Sequence, residues 1–351
     1  MTADDLLSGP RGRGVCIAVA ERLSEDLWAA SQTVDRGPPD VLVSLLQSLD
    51  PTPVRAWRDP LAFLEPMDWS VSNAMYWQAP HPEDVAAADP GVVAALRPVA
   101  DAVASSPASA WWSTPVDLAA LRYTSRFDEE DPPSPPTLTD PRDRLDRWRA
   151  GMLEEERAAA SDRPVDAGVP FSAYWWSIPA MASLVTTTRP LEGLGSIELV
   201  WEEDSFSQRS ALIWPLTTTR TPRVWEIDRP EAWVRLVDRY PLDVTNARRH
   251  DWYRTTGRVG GWRIPDWRAV ADEWDAVHLS VAGYLTTATR LLHVADGDSA
   301  TVLAGWNPDQ TWWLTDVLAT TASHPESWQA ADEPYGPDFA WRRTSPADRR
   351  F

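Results

Sequence analysis

The chain has 351 residues, 43% of them hydrophobic and 24% charged, which is the balance of a globular protein with enough length for one large core or two ordinary ones. A net charge of −19 excludes a nucleic-acid backbone as the main partner, since phosphate binding requires a basic face. All 33 basic residues are Arg, so Schiff-base, phosphate-loop and kinase-type lysine chemistry is excluded, and anions must be met by Arg, His or backbone N–H groups.

The start, Met1 to Pro10, shows no basic patch followed by an apolar run, and no stretch approaches the roughly 20 apolar residues of a membrane helix. The expectation is a cytoplasmic protein without a membrane partner. Cys16 is the single cysteine, so an intrachain disulfide and a thiolate zinc cluster are both excluded. Its apolar setting, Val15 to Ala20, predicts a buried structural thiol.

In chain order, apolar spacing predicts helices over residues 16–30 and 40–49, and an Ala/Val-rich helix from Pro82 to Ser105. Asp128 to Asp140 is acidic and carries Pro132, Pro133, Pro135 and Pro136, the composition of a surface linker or lid. Asp140-Pro141 then opens a helix to about Ala160, with Leu145, Trp148 and Met152 on one face. The texture changes at Phe171, and 15 of the 22 tryptophans lie from Trp175 onward. Ile197 to Trp201, Ala211 to Leu216 and Arg223 to Ile227 read as strands. Asp228 to Glu231 caps a helix whose apolar face is Trp233, Leu236, Val237 and Tyr240. Pro265-Asp266-Trp267 opens another, Asp275 to Ser280 is a strand, and Thr301 to Ala304 with Thr311 to Thr315 reads as a closing hairpin. The fold class expected is α+β. A mainly helical domain spans residues 1–165, a Trp-rich mixed-sheet domain 166–318, and a Pro/Arg-containing tail 319–351.

Trp111-Trp112-Ser113-Thr114-Pro115 returns 64 residues later as Trp175-Trp176-Ser177-Ile178-Pro179. The spacing is short for two complete α+β domains, so a local packing device and a duplication both stay open.

Several segments form an ordered set: Trp175-Trp176-Ser177; Arg223-Val224-Trp225-Glu226-Ile227-Asp228; Trp233 through Tyr240-Pro241; Pro265-Asp266-Trp267 through Asp275-Ala276-Val277-His278-Leu279-Ser280; and Gly305-Trp306-Asn307-Pro308-Asp309-Gln310-Thr311-Trp312-Trp313-Leu314. This set resembles an uncharacterised bacterial, mostly actinobacterial, family, whose plan is in turn similar to ADP-ribosyltransferase-like proteins. The resemblance implies an NAD- or nucleotide-binding domain, catalytically active or degenerate. It places Trp176, Ser177, Arg189, Trp306 and Gln310 at the cofactor, and Glu202, Asp309 and His278 in catalysis. Where the family's closing motif has Asp and Glu, this chain has Asn307 and Gln310, and a neutral amide cannot stabilise an oxocarbenium-like centre as a carboxylate does. Asp309 is one position out of place, and on a strand it would face the opposite side.

Read for themselves, Glu202-Glu203-Asp204 beside Ser205 and Ser207 is either a carboxylate site or a solvated turn. His278 is either a nucleotide contact or general base, or a hydrogen-bonded structural His. Arg248-Arg249-His250-Asp251 beside Trp252 and Tyr253 could clamp a phosphate and stack a base, or pair internally with carboxylates. Asp296-Gly297-Asp298 reads as a hairpin turn, lacking the other ligands of a calcium loop. The glycines at 9, 12 and 14 follow no strand and make no dinucleotide fingerprint, and no nucleophile elbow, phosphate loop or H-E-x-x-H is found. Two other classes fit the composition. One is an acidic, Trp-anchored module for a basic protein partner. The other is a sugar-handling enzyme with paired carboxylates across a Trp-lined cleft.

Overall fold

A computed structural model describes residues 1–31, 39–128, 133, 135–204, 208–331 and 341–344. Ser205 and Ser207, residues 129–132 and 134 of the expected lid, and much of the expected tail lie outside the described residues.

The N-terminal part is helical, as its periodicity predicts, but in shorter pieces. The stretch 16–30 belongs to two helices, Pro10–Leu23 and Glu25–Ser31, separated where Ser24 turns extended. Pro82 to Ser105 is likewise Pro82–Ala86 and Pro90–Ser105. Ala87 closes the first and Asp89 caps the second, accepting from the N–H groups of Gly91 and Val92 at 2.8 and 3.2 Å. The helix Pro10–Leu23 packs on Ala3–Leu7 and Leu64–Ser72 and buries Arg11, which donates to the Ser70 carbonyl and pairs with Asp84. Pro39–Ser48 and Pro141–Asp162 form as expected. Asp140 precedes the latter in a left-handed conformation and does not cap it through its side chain.

Among the described residues the sheets are three. In the first, Leu121–Phe127, Ser210–Thr218, Glu326–Ala330 and Trp341–Thr344 run antiparallel in that order, with Leu318–Thr320 also on Ser210–Thr218. In the second the order is Thr186–Thr187, Gln310–Trp313, Ala276–Leu279 and Val224–Ile227; only the last pair is parallel. The third joins Pro241–Asp243, Gly261–Pro265, Ser299–Thr301 and Leu292–His293. Parallel and antiparallel pairs together make the mixed α+β architecture that the irregular alternation of elements implied.

Two expected elements differ. Ile197 to Trp201 is not a strand: Ile197–Leu199 is a short 3-10 turn. All five residues are buried, Glu198 among them, so the apolar residues of the run reflect interior placement on every side rather than the pairing of a strand. Nor do residues 301–304 and 311–315 pair as a hairpin. Ser299–Thr301 joins the third sheet, while Gln310–Trp313 enters the second between Thr186–Thr187 and Ala276–Leu279. Between them the chain is turned by two left-handed residues, Gly305 (φ 81°) and Asp309 (φ 56°).

The larger of two hydrophobic clusters among the described residues draws on residues from Ala3 to Trp341, on both sides of residue 165. Trp233, Trp267 and Trp306 meet edge-on or tilted at its centre, with ring centroids 5.6–6.4 Å apart. A smaller cluster of Leu121, Trp214, Leu216, Ala276 and Trp313 fills the space between the first two sheets. The two W-W-S segments are conformationally unlike. Trp111 to Ser113 closes the 3-10 helix Pro107–Ser113, and Trp175 to Ser177 lies outside helix and strand.

Close approach of the first two helices depends on Gly12, where a Cβ would lie 2.1 Å from the Leu6 carbonyl oxygen. Gly12→Ala is expected to force that packing apart and destabilise the chain by about 1–3 kcal/mol. Urea unfolding followed by circular dichroism measures this, and an unchanged midpoint would refute the contact.

Candidate functional site

Parallel register sets the first feature. Glu226 on Val224–Ile227 lies opposite His278 on Ala276–Leu279, so their side chains share one face of the second sheet. His278 Nδ1 is 2.5 Å from Glu226 Oε2, and its Nε2 is 3.4 Å from Asp309 Oδ1, an ion contact too long for a strong hydrogen bond. Asp309 in turn accepts from Arg189 through Nε at 2.7 Å and the backbone N–H at 3.1 Å. Arg189 also donates to Thr114 Oγ1 and the Pro115 carbonyl, and its guanidinium sits 4.9 Å above the Trp111 ring. The four residues form a row of alternating charge, buried at His278 and Asp309 and partly exposed at Glu226 and Arg189. Burial opposes the imidazolium, but Asp309 and Glu226 outweigh it and raise His278 to about 9. Burial also opposes the Asp309 carboxylate, yet His278 and Arg189 hold it below its ordinary value.

Asp309 reaches this row because its left-handed backbone sits just ahead of the strand Gln310–Trp313. The alternation argument that placed it on the wrong face does not apply to a residue outside the strand. Gln310, beside it, donates through Nε2 to Glu198 Oε1 at 3.1 Å. Glu198, on the 3-10 turn, is buried with its Oε2 unpartnered among the described residues; burial raises it to about 8. Glu202 instead pairs with Arg126 at 3.1 Å and is partly exposed.

Its neighbour Glu203 has a different role. The carboxylate is buried and accepts four hydrogen bonds: Tyr76 Oη at 2.7 Å, Tyr284 Oη at 2.8 Å, and the N–H groups of Gly305 and Trp306 at 2.9 and 3.1 Å. Its own N–H donates to Asn307 Oδ1 at 2.9 Å. Burial still pushes it up to about 7. This residue fixes the turn 305–307 and joins it to the helical part through Tyr76.

The second feature is the strap Trp175-Trp176-Ser177. Its three carbonyls accept in turn from Trp252 Nε1 (2.9 Å), Arg248 Nε (3.2 Å) and Trp267 Nε1 (2.9 Å). Ser177 is wholly buried and bonds both ways with the backbone of Ala304. Trp306 is also fully buried and donates to the Gln310 carbonyl. Ser177, Trp306 and Gln310 are therefore interior groups bonded to this chain.

Trp176 alone of the expected cofactor residues lines an open groove, of about 390 Å3, between the strap and the helix Pro141–Asp162. Tyr174 stacks on Trp176, with centroids 5.4 Å apart and planes 27° from parallel. Arg144, Arg147 and Arg248 also line the groove, and Glu155 is its one carboxylate. Arg248 is buried and 3.3–3.4 Å from both Glu155 oxygens; Arg144 is tied to the carbonyls of Thr137, Asp140 and Ser183. Arg147 is exposed and has no carboxylate partner among the described residues. A lone carboxylate does not make the pair that glycoside hydrolysis requires. Among the described residues no three of His, Cys, Asp and Glu gather as a metal site, and no helix is long and apolar enough to cross a membrane. No protein-family model, curated protein or solved structure matches the chain.

Sequence reading missed Glu198, Glu226 and the scaffold role of Glu203. Glu226 and Glu198 left the same signal, a charged residue in an otherwise apolar run; no such signal singles out Arg144 and Arg147.

Two stability predictions follow from these charges. His278, raised above its unfolded value, contributes stability that is complete below about pH 6.5 and lost as pH rises through about 9. Glu198, also raised, stabilises below about 4.5 and loses its contribution as pH rises through about 8. The melting temperature should thus fall between about pH 6.5 and 9, most steeply where the two losses overlap, and His278→Gln should flatten that fall. A flat wild-type profile in scanning calorimetry would contradict both assignments. Glu203→Ala strands two buried N–H groups and two tyrosine hydroxyls and should cost about 3 kcal/mol or more in urea unfolding, against less than about 1 kcal/mol for the surface variant Glu154→Ala.

Proposed function

We propose that the chain binds a nucleotide in the groove beside Trp176, with NAD the first nucleotide to consider from the ADP-ribosyltransferase-like reading of its motifs. The observation that supports this is one of placement. In a chain of net charge −19, three arginines face a single glutamate in a groove whose wall is a pair of stacked aromatic rings. Stacked aromatics offer a flat face to a base, and guanidinium groups meet phosphate oxygens in a planar, bidentate geometry. The strap that carries Trp176 is pinned at three successive carbonyls, so little ordering entropy opposes binding.

Transfer chemistry is not part of this reading. Neither Glu202, His278 nor Asp309 lines the groove, and each is engaged by a charged partner of this chain. Glu155 does line it, but it is paired with Arg163 and Arg248. The proposal is accordingly a binding protein with a degenerate catalytic apparatus.

Titration of NAD, ADP and ATP by calorimetry tests it. Saturable binding is expected, weakening as salt rises, because Arg147 is exposed. Tyr174→Ala and Arg147→Glu, both at exposed positions, should each weaken it by about tenfold or more without loss of fold. Absence of binding at millimolar nucleotide, or affinity untouched by both substitutions, would refute the proposal.

A further inference from the structure

The groove beside Trp176 has two unlike ends. On the helix Pro141–Asp162 its wall runs from Arg144 to Glu155, about 16 Å of helix. Arg144 gives Nη1 to the Ser183 carbonyl at 2.5 Å, closing one end. At the other end Arg248 bridges the walls, with Nε 3.2 Å from the Trp176 carbonyl and Nη1 3.3–3.4 Å from the Glu155 oxygens. Helix and strap therefore line the groove antiparallel. The stacked pair Tyr174 and Trp176 lies at the Glu155 end, and Arg147 stands at the Arg144 end, about 12 Å of helix from Glu155. Between the ends lie Trp148, Met152 and Ile178, and Gly151 leaves the wall open, since a Cβ there would meet nothing within 4 Å outside its own helix backbone.

We infer that the groove takes a nucleoside polyphosphate in one orientation, its base on the Tyr174–Trp176 pair and its terminal phosphate on Arg147. The inference rests on the nucleotide reading of this groove and narrows it to nucleotides that end in a phosphate chain. Donor availability sets the direction. At the aromatic end Arg248 is buried and bonded to Glu155 and the Trp176 carbonyl, and Arg163 behind it is bonded to Glu155 and the Ala247 carbonyl. A phosphate there would have to displace Glu155 from both arginines and leave its carboxylate unpaired. At the far end Arg144 is bonded to the carbonyls of Thr137, Asp140 and Ser183, whereas Arg147 is exposed and has no carboxylate partner among the described residues. Its guanidinium can meet a terminal phosphate through two parallel N–H···O bonds. Distance sets the length. The phosphate of a monophosphate stays beside its ribose, close to the stacked base and to Glu155. Each added phosphate carries the terminal charge away from Glu155 and towards Arg147. In NAD the diphosphate is internal, and a second nucleoside without a terminal phosphate would stand at Arg147.

Calorimetry on the full chain with adenosine, AMP, ADP, ATP and NAD tests the orientation, in EDTA so that no divalent cation screens the phosphates. Affinity is expected to rise from adenosine through AMP and ADP to ATP, with ATP at least about tenfold tighter than AMP and tighter than NAD. Arg147→Gln should weaken ATP by about tenfold and leave adenosine unchanged, while Tyr174→Ala should weaken both by the same factor. Both positions are exposed, and circular dichroism checks that each variant folds. AMP as tight as ATP, NAD tighter than ATP, or Arg147→Gln weakening adenosine as much as ATP would overturn this orientation and leave nucleotide binding standing. Binding of none of the five at millimolar concentration would overturn the nucleotide reading itself, and this inference with it.

Discussion

Three consecutive backbone carbonyls, at Trp175, Trp176 and Ser177, receive their hydrogen bonds from side chains rather than from a neighbouring strand. A buried stretch outside helix and sheet must find such partners, because each unmet carbonyl costs as much as a lost hydrogen bond. Two of the three donors are indole N–H groups. Indole N–H groups also reach carbonyls within regular elements, Trp201 that of Leu64, Trp225 that of Ala232 and Trp306 that of Gln310. Tryptophan suits the task, since it supplies a large apolar body and one donor with no acceptor to satisfy. Trp252 and Trp267 thus both fill interior volume and bond the carbonyls of an irregular segment.

Glu203 complements this arrangement with the opposite polarity, as an interior acceptor for two backbone N–H groups and two tyrosine hydroxyls. Together the indoles and this carboxylate hold the segments 175–177 and 305–307 against each other. Gly305 is needed there, since a Cβ would lie 2.4 Å from Trp176 Cδ1 in a residue already at φ 81°. Asn307 and Gln310, where the resembled family has carboxylates, have definite partners of their own in the Glu203 N–H and Glu198. The amides serve the scaffold, which is why the groove and not the closing segment carries the functional proposal.

Helices and the longer strands were legible in the sequence because their signals are local: Leu145, Trp148 and Met152 fall on one helical face, and Ser210–Thr218 is a run of strand-forming residues. What was not legible depends on distant pairing. Residues 189, 226, 278 and 309 form one charge row only because Val224–Ile227 pairs in parallel with Ala276–Leu279, a register no local pattern announces. The twin W-W-S segments make the same point. Identical neighbours adopt a 3-10 turn at Trp111 and an irregular strap at Trp175, where the donors that hold the strap come from Trp252, Arg248 and Trp267. Trp176 and Arg248 were recognisable as aromatic and cationic candidates. Arg144 and Arg147 were not, since a charged helix face looks alike whether it meets solvent or a groove.

Trp111 and Trp201 lie face to face, with centroids 6.0 Å apart and planes within 3° of parallel. One belongs to the 3-10 helix Pro107–Ser113 and the other follows the turn Ile197–Leu199, so the pair spans the two halves of the chain. Parallel indoles at this separation couple their electronic transitions. The near-ultraviolet dichroism of the protein should therefore contain a component that belongs to this pair and not to either ring. Its disappearance ahead of the helical signal would report the halves parting while each kept its own secondary structure, an optical gauge of docking that requires no added label.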